Sequence, residues 1–328
     1  MTTRRELFIA GGGLCVLGTP LVSMAQQPAK VARIGFLGLS SASSMASRVE
    51  AFLAGMRGLG YVDGKNIAIE FRWAEDQYER LAELAAELVR LKVDVLVTHA
   101  TPGTRAAKAA TATIPIVMAA SGDAVANGMV ASLARPGGNV TGSTFFSPEL
   151  AAKQIELLKE VLPRIDRVAM FINPDNPALV VERQAMEIAA KSLKFSLNQF
   201  EVRTPKAFES AFKSIAASRV DVLWIHRDPM VVANAKAIAE LAVKYRLPST
   251  GFNGLAEAGG LIGYGESIVE MFRRAAYFVD RILKGAKPGD LPVERATKFE
   301  LGINLKTARA LGVTIPQSIL VRADKVIE

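Results

Sequence analysis

Small polar and acidic side chains recur in this sequence directly after short apolar runs. Residues 116–119, for example, are uniformly apolar and are followed by Ser121, Gly122 and Asp123. An apolar run without alternation is typical of a strand buried on both faces in a parallel sheet. Small ligands bind at the carboxyl ends of such strands, where loop N–H groups and helix N-termini are still free to hydrogen-bond. On this basis we predict the following ligand contacts: Ser40, Ser41, Thr101, Ser121, Asp123, Asn173, Asp228, Asn253 and Tyr264.

These side chains suit a small zwitterionic or amide-bearing solute. Such a solute requires a carboxylate for its ammonium group, hydrogen-bond donors for its carboxylate, and an apolar or aromatic wall. Asp123 and Asp228 are the acidic candidates, although each could equally cap a helix or lie on the surface. Tyr264 could present both its ring and its hydroxyl to a ligand. The remaining six residues are candidate hydrogen-bonding groups.

The sequence does not predict catalysis. It contains no Gly-x-Ser-x-Gly elbow, His-Glu-x-x-His motif or phosphate-binding loop. Its two histidines, His99 and His226, follow apolar runs of matching pattern and could meet across a cleft, although packing roles are the more ordinary interpretation. Two histidines without a cysteine partner make a poor metal site. We therefore expect a binding protein with no cofactor and no bound metal.

Composition narrows the class of protein further. The chain has 328 residues, half of them hydrophobic, which is enough for two cores. Its formal charge of +8 comes from basic residues that are scattered and interleaved with acidic ones. Nucleic-acid-binding proteins cluster such residues on one element, so no nucleic acid partner is predicted.

The N-terminal residues are typical of an export signal, which we assign to residues 1–25. Arg4 and Arg5 precede an apolar, glycine-rich run that ends at Ser23-Met24-Ala25, with small residues where a signal peptidase cleaves. The paired arginines also fit a twin-arginine signal, so both export routes stay open. Cys15, the only cysteine, follows Leu14, which fits a lipoprotein signal poorly. We expect a periplasmic protein without disulfides.

The polar residues must be positioned by alternating strands and helices, which predict an α/β fold. Residues 220–226 repeat the pattern of residues 93–99, and this repetition argues for two similar Rossmann-like lobes with parallel sheets. Glycine-flanked extended segments predict three crossover strands between the lobes, near residues 139–143, 258–265 and 293–300. Lobe 1 would then comprise residues 31–140 with 265–290, and lobe 2 residues 143–258 with 300–328.

Two local features are also predicted. The residues before Arg135 form a helical segment that Gly137 and Gly138 end. Ser267 and Glu270 form a capping box at the start of a later helix.

Several stretches carry a more specific signal. The most distinctive is Val-Ala-Ser-Leu-Ala-Arg-Pro-Gly-Gly-Asn-Val-Thr-Gly at residues 130–142, and the others are residues 59–67, 84–90, 272–276 and 299–308. In these stretches the chain resembles the ABC-transporter substrate-binding proteins of the family that includes tryptophan- and tyrosine-binding receptors. The resemblance implies the type I periplasmic-binding-protein fold, a ligand held between two lobes, and closure that presents the receptor to an inner-membrane permease.

From the resemblance we expect a monomeric receptor for an amino acid or a related compound. Residues 226–229 and 252–254 fall where members of the family vary, so they leave the ligand's identity open. A binding protein that feeds a signalling receptor is the main alternative. An enzyme on the same scaffold and a repressor's effector domain fit less well, because the sequence shows no catalytic motif and carries an export signal.

Overall fold

The computed structural model describes residues 31–145 and 147–328, so the predicted signal peptide and Cys15 lie outside the described residues. The strands, in chain order, are β1 (Ala32–Gly38), β2 (Ile67–Trp73), β3 (Val95–Thr98), β4 (Ile116–Ser121), β5 (Val140–Thr144), β6 (Arg167–Ile172), β7 (Ser196–Glu201), β8 (Val222–Ile225), β9 (Ser249–Gly251), β10 (Ile262–Glu266), β11 (Glu294–Arg295), β12 (Phe299–Asn304) and β13 (Lys325–Ile327).

Helices follow most of these strands. They are α1 (Ala42–Gly58), α2 (Leu81–Arg90), α3 (Ala100–Ala110), α4 (Ser147–Val161), α5 (Leu179–Leu193), α6 (Phe208–Ala217), α7 (Pro229–Ala233), α8 (Ala235–Lys244), α9 (Ile268–Leu283), α10 (Leu305–Leu311) and α11 (Gln317–Leu320). Within the described ranges, none of the helices is long and apolar enough to cross a membrane.

Two separate sheets organise the chain. The first has the order β11-β5-β4-β3-β1-β2, and all its strand pairs are parallel. The second has the order β13-β12-β10-β9-β8-β6-β7 and is parallel except where β10 meets β12. This architecture confirms the predicted fold class of two α/β lobes with largely parallel sheets.

Each sheet is buried on both faces, as its uninterrupted apolar strands require. On one face of the first sheet, Phe36 and Val97 pack against α1 and α9, while Leu37 and Leu96 face α2 on the other. Two further apolar clusters cover the faces of the second sheet. Helices α1 and α9 approach closely, because a Cβ at Gly55 would lie 2.6 Å from the Arg273 carbonyl oxygen.

The chain passes between the sheets three times. It leaves the first sheet after β5, and α4 then packs against β9 and β10 of the second. It returns after β10, because α9 packs on β4 and β5. It crosses once more between β11 and β12. The residue bounds assigned to the two lobes stay predictions.

Two local predictions were wrong. Residues 122–139 form turns rather than a helix, because the Asp123 carboxylate accepts hydrogen bonds from the Val125 and Ala126 N–H groups and Gly128 takes a left-handed φ of 68°. Ser267 is the N-cap residue of α9, but its side chain makes no capping hydrogen bond. Its hydroxyl instead hydrogen-bonds to Glu300 and helps to lower that carboxyl's pKa.

Candidate functional site

The carboxyl ends of the two sheets face each other and touch. The Tyr78 hydroxyl, on the first-sheet side, donates to Asp228 Oδ2 at 2.7 Å. The Ser40 hydroxyl lies 3.4 Å from the Pro229 carbonyl oxygen, which it can reach as a donor. The guanidinium of Arg227 lies 5.2 Å from the centre of the Phe145 ring. The facing ends of the two sheets are therefore in contact across the cleft.

A cavity of about 50 Å³ remains between the sheets. Its lining combines aromatic rings with two arginines and comprises Arg48, His99, Ala100, Ala120, Phe145, Arg227, Pro229, Val232, Phe252, Asn253, Ile268 and Phe272. A smaller cavity of about 20 Å³ shares Phe145, Arg227 and Phe252 with it and reaches Trp224. Larger concavities exist elsewhere, such as one of about 350 Å³ beside the Arg274–Glu294 ion pair.

Two predicted contacts, Thr101 and Ser121, lie beside the main cavity with hydrogen-bonding capacity to spare. They directly follow the lining residues Ala100 and Ala120 in the chain. Both side chains are buried, and neither hydroxyl has a hydrogen-bond partner among the described residues. Buried polar groups are normally paired, so these two hydroxyls are suited to a ligand that completes their hydrogen bonds. Ala100 itself holds a left-handed φ of 55°, a strained conformation that clusters at functional sites.

Asp228 is fully engaged by the protein in this structure. Its Oδ1 accepts the N–H groups of Met230 and Val231 at the start of α7. Its Oδ2 accepts from Tyr78 and from the amides of Asn173 and Asn176. The carboxylate therefore joins both sides of the cleft.

The other predicted contacts lie in varied surroundings. Ser41 caps α1, since its hydroxyl accepts the Ser44 N–H at 3.3 Å, and Asp123 organises the turn described above. The Asn253 side-chain amide donates to the Glu300 carboxylate and to the Glu266 backbone carbonyl oxygen. Asn253 also lines the main cavity. Tyr264 is half-buried, and its ring stacks on Phe299. It lines neither cavity, but its carbonyl oxygen accepts a hydrogen bond from Gln154, which lines the smaller one.

The charged residues at the cavity were not among the predicted ligand contacts. Arg227 donates through Nη1 to Glu266 Oε2 at 3.2 Å, while its Nη2 and Glu266 Oε1 have no hydrogen-bond partner among the described residues. Burial lowers the pKa of Arg227 and raises the pKa of Glu266. Burial, with Arg227 nearby, lowers the pKa of Arg48 to about 10. From the sequence, Arg227 was noted only as part of the variable residues 226–229, and Arg48 and Glu266 were not noted.

The two histidines differ from each other in environment. Burial lowers the pKa of His99 to about 3, and the neutral ring accepts the Leu39 N–H through Nε2 at 3.2 Å. His226 is also buried, but its Nε2 lies 2.7 Å from Glu182 Oε2, and this carboxylate outweighs burial and raises the pKa of the imidazole. No group of three or more potential metal-ligating side chains is assembled anywhere in the described ranges.

Comparisons with known proteins agree with this geometry. A tyrosine-binding protein of Clostridioides difficile (strain R20291) is 28% identical over 284 residues, which cover 86% of this chain and 81% of that protein. The crystal structure of an ABC domain from Streptococcus pneumonia in complex with L-Trp is 27% identical, with a TM-score of 0.84 over 90% of this chain and all of that one.

A third comparison concerns the state of the cleft. The ligand-free, open structure of a substrate-binding protein with adhesive properties from Clostridium difficile is 25% identical and covers 90% of this chain and 99% of that one, yet its TM-score is only 0.65. Sequence identity hardly differs between these two structures, so the lower score reflects a different arrangement of similar parts. The hydrogen bonds across the cleft fit the same interpretation, namely that this structure is in a closed state.

The sequence profile that describes the ABC transporter substrate binding proteins matches residues 33–327, nearly the whole of the described chain. With two facing α/β sheets and a cavity between them, this chain belongs to the family of ABC transporter substrate-binding proteins.

Proposed function

We propose that this protein is an exported receptor that binds an amino acid or a related small molecule between its two sheets and delivers it to an ABC permease in the inner membrane. The observation that carries the proposal is a cavity with aromatic walls between the sheets, next to two buried hydroxyls that have no hydrogen-bond partner among the described residues. The relatives named for tyrosine binding and solved with L-Trp support an amino acid as the ligand class.

The ligand's polar head group would lie against α3 and β4. Thr101 and Ser121 offer hydroxyls there, and the first turn of α3 supplies backbone N–H groups that the helix itself does not use. Hydroxyls and helix N-termini together bind carboxylates well. The rings of Phe145, Phe252 and Phe272 would then enclose the ligand's side chain.

Transport would follow from closure of the cleft. Ligand contacts made with both sheets favour the closed state by their differential affinity, and closure brings the outer surfaces of both lobes into a fixed arrangement. The permease would recognise that arrangement, and the reaction cycle would require no catalytic group in this chain. We place the receptor in the periplasm as a monomer.

A thermal-shift screen tests the proposal. Exported, processed protein is unfolded and refolded to remove any carried-over ligand, then mixed with amino acids, purines or small organic acids at 1 mM. A ligand with a dissociation constant of about 1 μM should stabilise the folded state by about 4 kcal/mol and raise the melting temperature by several degrees. If no compound of any class raises it, the proposal fails.

A matched pair of variants localises the head group. Thr101→Val removes a buried hydroxyl with little change in shape and should weaken binding of the best ligand about tenfold or more, because the ligand loses a buried hydrogen bond. Thr113→Val changes an exposed threonine near the opposite end of β4 and should leave affinity unchanged. Isothermal titration calorimetry measures both. Equal affinities would remove Thr101 from the site.

A further inference from the structure

Two guanidinium groups meet at the main cavity, and they come from opposite sides of the cleft. Arg48 lies in α1, which packs on the first sheet, and Arg227 lies directly after β8 of the second sheet. Burial lowers the pKa of both arginines, and the charge of Arg227 adds to the lowering at Arg48. Because closure brings two cations together in this site, we expect a negatively charged group to offset them.

The protein supplies only part of that counter-charge. Glu266 pairs with Arg227, but Arg48 forms no ion pair with any carboxylate in residues 31–145 and 147–328. The only side-chain hydrogen bond of Arg48 in this part of the chain runs from Nη1 to Met45 Sδ at 3.4 Å. Arg227 also keeps Nη2 buried and without a hydrogen-bond partner among the described residues.

Other charged groups near the cavity do not pair with Arg48. The Asp228 carboxylate accepts five hydrogen bonds from uncharged groups. Glu182 lies against His226, and the raised pKa of that imidazole favours its charged form, so the two largely cancel. His99, which also lines the cavity, is held neutral. Of the residues that line the cavity, Arg48 and Arg227 carry the positive charges, and Glu266 pairs with only one of them.

We propose that the cavity between Arg48 and Arg227 binds a carboxylate of the ligand that is distinct from its head group, so the receptor's ligands are acidic amino acids or related dicarboxylic acids. Planar guanidinium groups match carboxylates in geometry and often bind them through two hydrogen bonds. The head-group residues Thr101 and Ser121 adjoin this cavity through Ala100 and Ala120, so one ligand can span both. This inference rests on the proposed function and specifies its substrate class.

Matched ligand pairs test the inference by calorimetry. L-glutamate is compared with L-glutamine, and 4-carboxy-L-phenylalanine with L-tyrosine, which keeps the head group constant and varies only the distal group. The parent protein should bind the acid of at least one pair more than tenfold more tightly than its neutral partner. Equal affinity for acid and neutral partner in both pairs overturns the inference and leaves the proposed function standing. No binding of any of the four also overturns the inference alone, because the proposed function covers other amino acids and related molecules.

Variants of α1 provide the second arm of the test. Arg48→Gln should abolish the preference for the acid, and Arg48→Lys should retain part of it. Arg57→Gln, on the same helix but exposed and paired with Glu50, should behave as the parent does. The melting temperature without ligand verifies folding and should not fall for Arg48→Gln, since the half-buried guanidinium that is removed has no ion-pair partner among the described residues. If Arg48→Gln weakens acids and neutral partners equally, the guanidinium contacts the shared head group instead and the inference is wrong.

Discussion

At the scale of single residues, burial determines which polar groups of the cleft are free to act. Asp228 was predicted as a ligand contact, and its carboxylate accepts five hydrogen bonds from this chain alone. Thr101 and Ser121 are buried to a similar extent but have no hydrogen-bond partner among the described residues. The nine predicted contacts all stay predictions until a ligand is bound, and these two hydroxyls have the strongest physical case.

His99 should make the protein sensitive to acid. Its folded-state pKa, lowered by burial and by Arg48, lies near 3, well below its ordinary value of 6.5. Between these values the unfolded chain binds a proton that the folded chain excludes, so stability is full above about pH 6.5 and is lost as the pH falls toward 3. The free energy of unfolding should fall by roughly 1 kcal/mol per pH unit in this window on account of His99. Urea denaturation between pH 4.5 and 6.5 measures this slope.

The variant His99→Gln isolates this effect, because glutamine can still accept the Leu39 N–H but does not titrate. Its stability should depend less steeply on pH than that of the parent. His226 works in the opposite direction, since its raised pKa gives stability below about pH 6.5 that is lost as the pH rises through the folded-state pKa. Parallel curves for parent and His99→Gln would show that the ring is protonated in the folded protein.

At the scale of elements, β5 is positioned by a glycine. Gly142 takes a φ of 128°, and a Cβ there would lie 2.1 Å from the Met118 carbonyl oxygen in the neighbouring strand. Strands β4 and β5 also shift register between Met118 and Ser121. The glycine thus permits a close approach just before the chain leaves the first sheet.

Gly142→Ala should therefore destabilise the protein strongly. We expect a loss of more than about 2 kcal/mol in the free energy of unfolding, because the clash is with backbone and the conformation is strained. Gly138→Ala is the matched control, since Gly138 precedes the same strand, and a Cβ there meets nothing within 4 Å. Chemical denaturation measures both, and similar losses for the two variants would contradict the proposed close approach.

The sequence predicted elements better than it predicted the site. Strands such as β4 were readable because burial on both faces leaves an uninterrupted apolar run, and polar loops at their ends located Thr101 and Ser121. The helix expected before Arg135 failed because turn contacts made by Asp123 override a helical pattern. Arg48 was not predicted, since an arginine in a helix is ordinarily exposed and only the opposite lobe buries it.

At the scale of the whole molecule, the cleft must open to admit a ligand. Binding pockets for small molecules typically measure 300–1,000 Å³, and the main cavity has about 50 Å³. Opening separates Tyr78 from Asp228 and Ser40 from Pro229, because each of these pairs spans the two sheets. These contacts therefore favour the closed state whichever ligand is present.

Tyr78→Phe should weaken ligand binding without altering any ligand contact. The variant loses a partly buried hydrogen bond to a carboxylate. Hydrogen bonds to charged groups are worth about 1.5–3 kcal/mol in general, and part of this loss shifts the balance toward the open state. We expect affinity to fall about three- to tenfold, mainly through faster dissociation, as measured by stopped-flow fluorescence. Tyr245→Phe is the control, because its hydroxyl contacts Glu209 within one lobe. Unchanged dissociation in Tyr78→Phe would mean that this bond does not hold the cleft closed.

The distribution of strands along the chain has a consequence for biosynthesis. The first strand of the first sheet begins at Ala32, but the sheet is complete only once Glu294 and Arg295 of β11 have been synthesised. Helix α1 packs against α9, which also lies late in the chain. A ribosome will have made most of the polypeptide before either hydrophobic core can close. A gene fragment that ends at residue 145 should therefore produce an aggregation-prone product rather than an independently folded half, and a nascent chain should stay unfolded long enough to be threaded through a translocation channel.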